Sequence, residues 1–250
     1  MNPTDVSSAL IYGIPLISCI GYGYETLMAC RGRLLGQGIV GTSGYGPEVR
    51  APINGLRLAV AQSQQQLAVA RELVKRRYAW RGYDVHGDED RNHARDPSPS
   101  EITFIVNDDR ATVGTVTLGL DRPEGLLAEL THEGVIEEVR ASGRKVCELT
   151  RLAIAESADS KSVLASLLGL AHFVGRSMHD VSDVFIEVNP RHVSFYSRVL
   201  GFVVAASEKV CERVSAPSVL LRLELDALED RLTRVGIGAL LLPLCFAEAA

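Results

Sequence analysis

The sequence predicts a mixed α/β (α+β) fold, one central sheet flanked by helices, and three observations carry that prediction. Short β-branched or alternating runs recur along the chain, separated by stretches of helical periodicity. Capping residues, prolines and glycines fall at the junctions between them, where the backbone has to change direction. With 250 residues, 46% hydrophobic and 23% charged, the chain has the composition of an ordinary globular protein and the length for one ample core.

Residues 1–54 stand apart. They hold nine of the 22 glycines, a density that resists regular structure, so they read as an extension of uncertain structure. Regular patterning spans 55–226, the expected domain. Leu56–Val60 alternates as a strand does. Ser63 and Gln66 have capping-box spacing, and Leu67, Ala70, Val74, Arg77 and Tyr78 then share one helix face. Asp84 to Ser100 is polar, contains Pro97 and Pro99, and reads as a loop. Ile102–Asn107 and Ala111–Leu120 flank a hairpin turn at Asn107-Asp108-Asp109-Arg110. Glu124 to Arg140 reads as one helix closed by Gly143.

Val146–Ile154 is the next strand, followed by a helix capped by Ser160 with an apolar stripe of Leu164, Leu167, Leu168, Ala171 and Val174. After the strand Val184–Val188, Asn189 caps a helix that Pro190 opens and Gly201 ends. Phe202–Ala205 and Ser218–Leu225 complete the sheet. Residues 227–250 are expected to form an apolar carboxy-terminal helix or tail.

Composition narrows the function. The net charge of -5 argues against a general nucleic-acid binder. Five scattered cysteines form no CxxC pair and no cluster with zinc spacing, so they read as reduced thiols and no metal is expected. Val6–Ile20 is apolar but broken by serines, Gly13 and Pro15, and it lacks the basic start of a secretory signal. A cytoplasmic protein is expected. The twelve-residue apolar run from Gly236 to Ala247 reads as a helix docked on the domain or on a partner surface rather than a membrane span, and membrane contact is not supported. His86 and His93 sit in an acidic loop whose spacing matches no metal site.

The chemistry concentrates in two places. In Glu148-Leu149-Thr150-Arg151-Leu152-Ala153-Ile154, a carboxylate and a guanidinium are embedded in an apolar strand, which is costly unless they are paired or used. A regular strand would point Glu148 and Arg151 to opposite faces; a bulge between them would bring both to one face and free backbone amides there. Amides for an oxyanion and a carboxylate for an amine proton suit acyl transfer. A structural ion pair, or one side chain facing solvent, is the plainer alternative. In the second place, Asn189 to Phe202, His192 and Tyr196 lie four apart and can meet a substrate together. Tyr196 can protonate a leaving thiolate, or simply pack through its ring. Arg77, continuing the buried face of its helix, can meet a substrate carboxylate, whereas Arg76 and Arg81 stay in water.

Arg77-Tyr78 with Gly82-Tyr83, Gly143 to Ile154, and Asn189 to Tyr196 with Leu200-Gly201-Phe202 together resemble the N-acyl amino acid synthases. These belong to the GNAT superfamily and are related to acyl-homoserine-lactone synthases. The resemblance spans roughly Leu56 to Leu225. It implies a GNAT-like mixed, splayed central sheet whose strands part to admit a pantetheine arm. It also implies an acyl-carrier-protein thioester as donor, an amino acid as acceptor and no bound cofactor. Glu148 and Arg151 match the family's Glu-x-x-Arg, as base or amine-positioning group and as orienting group. Cys147, Leu149 and Asn189, with Arg77 and His192, are the substrate-binding candidates. Ordinary GNAT enzymes grip coenzyme A pyrophosphate with a glycine-rich loop at a helix start; here the stretch reads Glu156-Ser157-Ala158-Asp159-Ser160-Lys161, which favours a carrier protein, docked with help from Lys161, Arg191 and Arg198. Two alternatives stand beside this reading: a homoserine-lactone-type synthase using S-adenosylmethionine, and a GNAT-like binding module without catalysis.

Overall fold

A computed structural model describes residues 49–50, 56–83 and 100–228. Within them the strands are β1 (Val49–Arg50), β2 (Arg57–Val60), β3 (Glu101–Asn107), β4 (Thr112–Leu120), β5 (Val146–Ile154), β6 (Asp183–Val188), β7 (Val203–Cys211) and β8 (Ala216–Glu224). The helices are α1 (Gln64–Trp80), α2 (Val135–Ala141), α3 (Ser160–Phe173) and α4 (Pro190–Phe195). The strands form one sheet in the order β1-β2-β3-β4-β5-β6-β8-β7. Every neighbouring pair is antiparallel except β5 and β6.

That exception shapes the molecule. β5 and β6 pair only through Val146↔Asp183, Cys147↔Val184 and Glu148↔Phe185, although β5 runs on to Ile154 and β6 to Val188. β4 continues to hold β5, and β8 holds β6 along its whole length. The two halves of the sheet therefore diverge beyond Glu148 and leave a V between β5 and β6, the splay that the family resemblance implies.

Side chains alternate across the sheet, so each face collects its own core. On one face Phe104, Val116, Leu118, Cys147, Val184 and Leu221 pack against Val163, Leu167 and Leu170 of α3. On the other, Ala59 and Ile105 meet Leu67 and Ala70 of α1, and Ala153 meets Leu73 and Val74. Val146, Phe185 and Leu220 meet Leu126, Ala128 and Ile136 on that same face. Phe104, Phe173 and Phe185 are fully buried, each contributing roughly 1.5–3 kcal/mol by leaving water.

The capping box at Ser63 and Gln66 is present, as are the Asn189 cap and Pro190 at the head of α4. Three sequence expectations need correction. Glu124 to Arg140 is not one helix: a 3₁₀ turn at Leu127–Leu130 is separated from α2 by Gly134, whose φ of +83° breaks the helical path. α3 is capped by Asp159 rather than Ser160, because the Asp159 carboxylate accepts from the Lys161 amide. Its buried face is also broader than a single stripe, with Val163, Ala165 and Leu170 inside and Leu164 and Leu168 only half-buried. α4 runs into a π-helical turn at Tyr196–Leu200 that ends, as expected, at Gly201, where φ is +87°. The extension apart from Val49 and Arg50, the loop carrying His86 and His93, and the tail from residue 229 lie outside the described residues. Among the described residues no helix is long and apolar enough to cross a membrane.

Candidate active site

The sequence singled out β5, and the structure shows how its charged residues are arranged. Thr117 pairs with Thr150 and Thr115 with Ala153, so Arg151 and Leu152 together face Val116 across the ladder. This is a β-bulge, in which an extra residue leaves the ladder and the strand bends. Arg151 adopts φ +53°, a left-handed conformation that costs an ordinary residue about 1–2 kcal/mol. Its guanidinium is tied across the sheet to Glu101 on β3 at 3.1 Å. The expected bulge is thus real, but it sits at Arg151 itself rather than between Arg151 and Glu148. Both residues border the same cavity.

Glu148 is only 3% exposed. Its Oε1 accepts from the Leu127 amide at 2.8 Å and its Oε2 from the Ala128 amide at 3.0 Å, so it caps the 3₁₀ turn before α2. Burial pushes its carboxyl pKa up. The two amides and Arg213 pull the other way, Glu187 adds to the rise, and the net value lies above the ordinary carboxylate range. A carboxylate so raised is a better proton acceptor than a solvated one.

Three cavities follow one another through the V. The first, about 130 Å³, is charged: Glu148, Arg151, Glu187 and Arg213 border it with Tyr78 and Ser218. The second, about 70 Å³, lies between the parted strands, against Thr150, Leu152, Ile186 and Tyr196. The third, about 160 Å³, is apolar and lies on the α3 face, walled by Cys147, Ala165, Leu168, Gly169 and Leu223. Leu149 borders all three, and Leu168 and Phe202 border the second and third. A charged space on one face of the sheet and an apolar space on the other thus share Leu149 as a wall.

The expected site residues divide accordingly. Tyr196 borders the middle cavity, its ring set edge-on to Phe202 at 5.8 Å, and burial pushes its hydroxyl up to about 12. Cys147 lines the apolar cavity, where burial pushes its thiol up. Asn189 borders the charged cavity while its side chain caps α4. Two candidates lie away from these three cavities. Arg77 borders none of the three cavities: its guanidinium stacks on Trp80 at 4.5 Å and lies 3.7 Å from Glu156. His192 is likewise outside them, with its Nε2 accepting from Arg191 at 3.3 Å. Glu187, Arg213, Ser218 and Tyr78 were not assigned from sequence yet stand in the site. Glu187 had a signal, a carboxylate inside the apolar run Val184 to Val188. Among the described residues no three His, Cys, Asp or Glu side chains gather as a metal site requires.

The geometry agrees with what the chain is similar to. Residues 69–224 match the family described as N-acyl amino acid synthase FeeM. The structure of FeeM, an N-acyl amino acid synthase from uncultured soil microbes, superposes with a TM-score of 0.64 at 22% identity, covering 72% of this chain and 96% of that one. Escherichia coli ElaA superposes with a TM-score of 0.50 at 10% identity, covering 68% of this chain and 99% of that one. Among curated protein sequences none matches the chain. With well over half its length matched, the chain belongs to the FeeM family of N-acyl amino acid synthases and is an acyltransferase built on the GNAT fold.

Proposed function

We propose that the protein moves a long-chain acyl group from an acyl-carrier-protein thioester to the amine of an amino acid. The observation that carries this reading is that a cavity with two carboxylates and two guanidiniums and a cavity walled largely by aliphatic side chains lie on either side of Leu149. A zwitterionic acceptor suits the first and a hydrocarbon chain the second. The thioester carbon then lies in the V.

Glu148 takes one proton from the acceptor ammonium, and the amine so freed attacks the thioester carbon. Arg151 orients the acceptor carboxylate or, through the bulge, the strand. The bulge puts backbone amides where the carbonyl oxygen gathers charge. When the tetrahedral intermediate collapses the C–S bond breaks, and Tyr196, which burial keeps protonated, gives its proton to the departing thiolate. The second nitrogen proton restores Tyr196, Glu148 releases the first to solvent, and amide and thiol are the products. Leu149 and Cys147 line the path of the chain.

The donor is read from the start of α3. There the Asp159 carboxylate accepts from the Lys161 amide at 3.2 Å and from the Ser162 hydroxyl at 2.5 Å, so an acid occupies the place a pyrophosphate would need. A carrier protein brings no adenosine pyrophosphate, and the exposed Lys161, Arg191 and Arg198 suit its acidic surface. The test is to incubate the purified protein with long-chain acyl carrier protein and mixed amino acids, without S-adenosylmethionine, and to search for amides by mass spectrometry. No amide from folded protein sinks the reading. A product that needs S-adenosylmethionine moves it to lactone synthesis, and equal turnover with acyl-coenzyme A removes the carrier-protein donor.

A further inference from the structure

Behind the wall of the charged cavity runs a buried polar chain that the steps above do not use. It begins at His132, fully buried in the bend between the 3₁₀ turn and α2. His132 Nε2 lies 3.3 Å from the Ser218 hydroxyl on β8 and 3.7 Å from Glu187 Oε1. The Ser218 hydroxyl donates to Glu187 Oε1 at 3.2 Å. Because the Ser218 proton goes to the carboxylate, its oxygen is left to accept, which places a hydrogen on Nε2 of His132. Arg213, on the turn between β7 and β8, pairs with Glu187 Oε2.

The register of β6 says where this chain leads. Phe185 is the last β6 residue paired with β5, opposite Glu148. Glu187 is two residues further on, so the strand period puts it on the same sheet face as Glu148, already inside the V. Its side chain is 10% exposed, and that exposure opens on the charged and middle cavities. A carboxylate this deep is costly unless it is paired and used. Held by Ser218 on one oxygen and Arg213 on the other, it presents a negative and a positive group side by side to the cavity. An α-amino acid carries the matching pair on one carbon.

We infer that Glu187 and Arg213 recognise the α-ammonium and α-carboxylate of the acceptor, and that His132, acting through Ser218, is the positioning residue that holds the Glu187 carboxylate toward the cavity. This rests on the amino-acid acceptor proposed above and adds the residues that select it. Glu148, deeper along the same face, keeps the proton-accepting role. Selection by Glu187 favours substrates with a free α-amine over the corresponding acids that lack it.

The test is calorimetric binding of individual amino acids, and of the matching des-amino acids, to the full chain. Wild type is expected to bind at least one amino acid, with its des-amino counterpart roughly 10- to 100-fold weaker, as for loss of a charge-assisted hydrogen bond. Glu187→Gln should bind the two alike. His132→Leu should cut the discrimination about fivefold, the worth of one neutral hydrogen bond, and His132→Gln, which can still donate to Ser218, should restore most of it. Should Glu187→Gln fail to fold, Ser218→Ala breaks the chain with both charges in place and should also lower the discrimination. A merely structural cluster would alter melting temperature without moving the ratio. Wild-type discrimination in folded Glu187→Gln or Ser218→Ala, or a wild type that binds no amino acid, overturns the assignment. Glu187-dependent binding without amide formation would instead fault the acyl-transfer reading and leave the recognition site standing.

Discussion

Narrowing the apolar cavity from its helical wall tests most directly what that cavity holds. Ala165 is 1% exposed and borders it with Leu168, Gly169 and His172, positions three, four and seven along α3 and so on one helix face. Ala165→Leu adds three carbons to that face, within a space of about 160 Å³. An acyl chain long enough to reach Ala165 would have to withdraw a similar length of hydrocarbon. At about 0.8 kcal/mol per methylene, three displaced methylenes forfeit about 2.4 kcal/mol, roughly a 50-fold loss in kcat/KM for such a chain. Chains too short to reach Ala165 lose nothing. The assay is competition among acyl carrier proteins loaded with a ladder of chain lengths, read as amide products by mass spectrometry. The optimum should shift down by about three carbons. Melting temperature serves as the control, since a leucine that enters a cavity avoids the roughly 1–3 kcal/mol cost of overpacking a filled core. An unchanged length profile, or an equal loss at every length from a folded variant, refutes the cavity as the acyl site.

Two buried acids on the sheet should show opposite pH signatures. Asp183, fully buried, accepts from Arg144, Arg222 and the Ser182 hydroxyl; burial opposes its charge, but these donors outweigh it and hold the carboxyl below the ordinary range. Its contribution is therefore present at neutral pH and lost as pH falls through the folded value, so Asp183→Ala should cost about 3–5 kcal/mol near neutrality, with the variant's urea unfolding curve converging on wild type in acid. Glu148 has a raised folded value, so its contribution is present below the unfolded value and lost as pH rises through the folded one. Glu148→Gln should accordingly gain on wild type in stability as pH rises, while slowing amide formation about 100-fold or more. On the other face, a Cβ at Gly114 would lie 2.3 Å from Val163 Cγ1 and 3.2 Å from Leu167 Cδ1. Gly114→Ala should cost about 1–3 kcal/mol, and a double-mutant cycle with Val163→Ala should show that the smaller partner recovers part of it.

The sheet was legible because its signals are local. Period-two runs, a capping box and an Asn-Pro helix start each act within a few residues, and the strands and caps they predict are found, with β7 running on to Cys211 and β8 starting earlier, at Ala216. The break at Gly134 was not legible, since Glu124 to Arg140 keeps a helical pattern on both sides of it. Where the preceding 3₁₀ turn starts is set by tertiary structure: Glu148, from a strand later in the chain, supplies its cap. The site shows the same division. The oddity of Glu148 and Arg151 in an apolar strand is visible in sequence, as is Glu187 in its own strand. The placing of the bulge at Arg151 depends on Glu101, fifty residues earlier, and the chain from His132 to Glu187 depends on Ser218, 86 residues beyond the histidine. Spacing along one helix does not by itself say what a side chain meets. Arg77 follows the buried positions of α1, and its guanidinium lies against Trp80 and Glu156.

The V itself explains why the two kinds of cavity meet at one residue. A continuous sheet separates its faces, because the ladder between strands closes the path from one to the other. Here β4 and β8 each keep their hold on β5 and β6, the bulge at Arg151 bends β5, and the ladder between β5 and β6 ends at Glu148 and Phe185. Beyond that rung the facing edges make no bonds to each other, and strand edges with unmet donors and acceptors are suited to an extended, amide-bearing arm. A pantetheine thioester is such an arm. Seated in the V, it would place its reactive carbon between Glu148 and Tyr196, with the acceptor on the charged face and the hydrocarbon on the α3 face. Closing the V would therefore remove activity without touching a single charged group. Conversely, charge changes at Glu148 or Glu187 would leave the acyl-chain preference where it was. The chain-length ladder and the des-amino comparison thus probe opposite faces of one sheet, and a variant that moved both readouts together would show that the faces are coupled through Leu149.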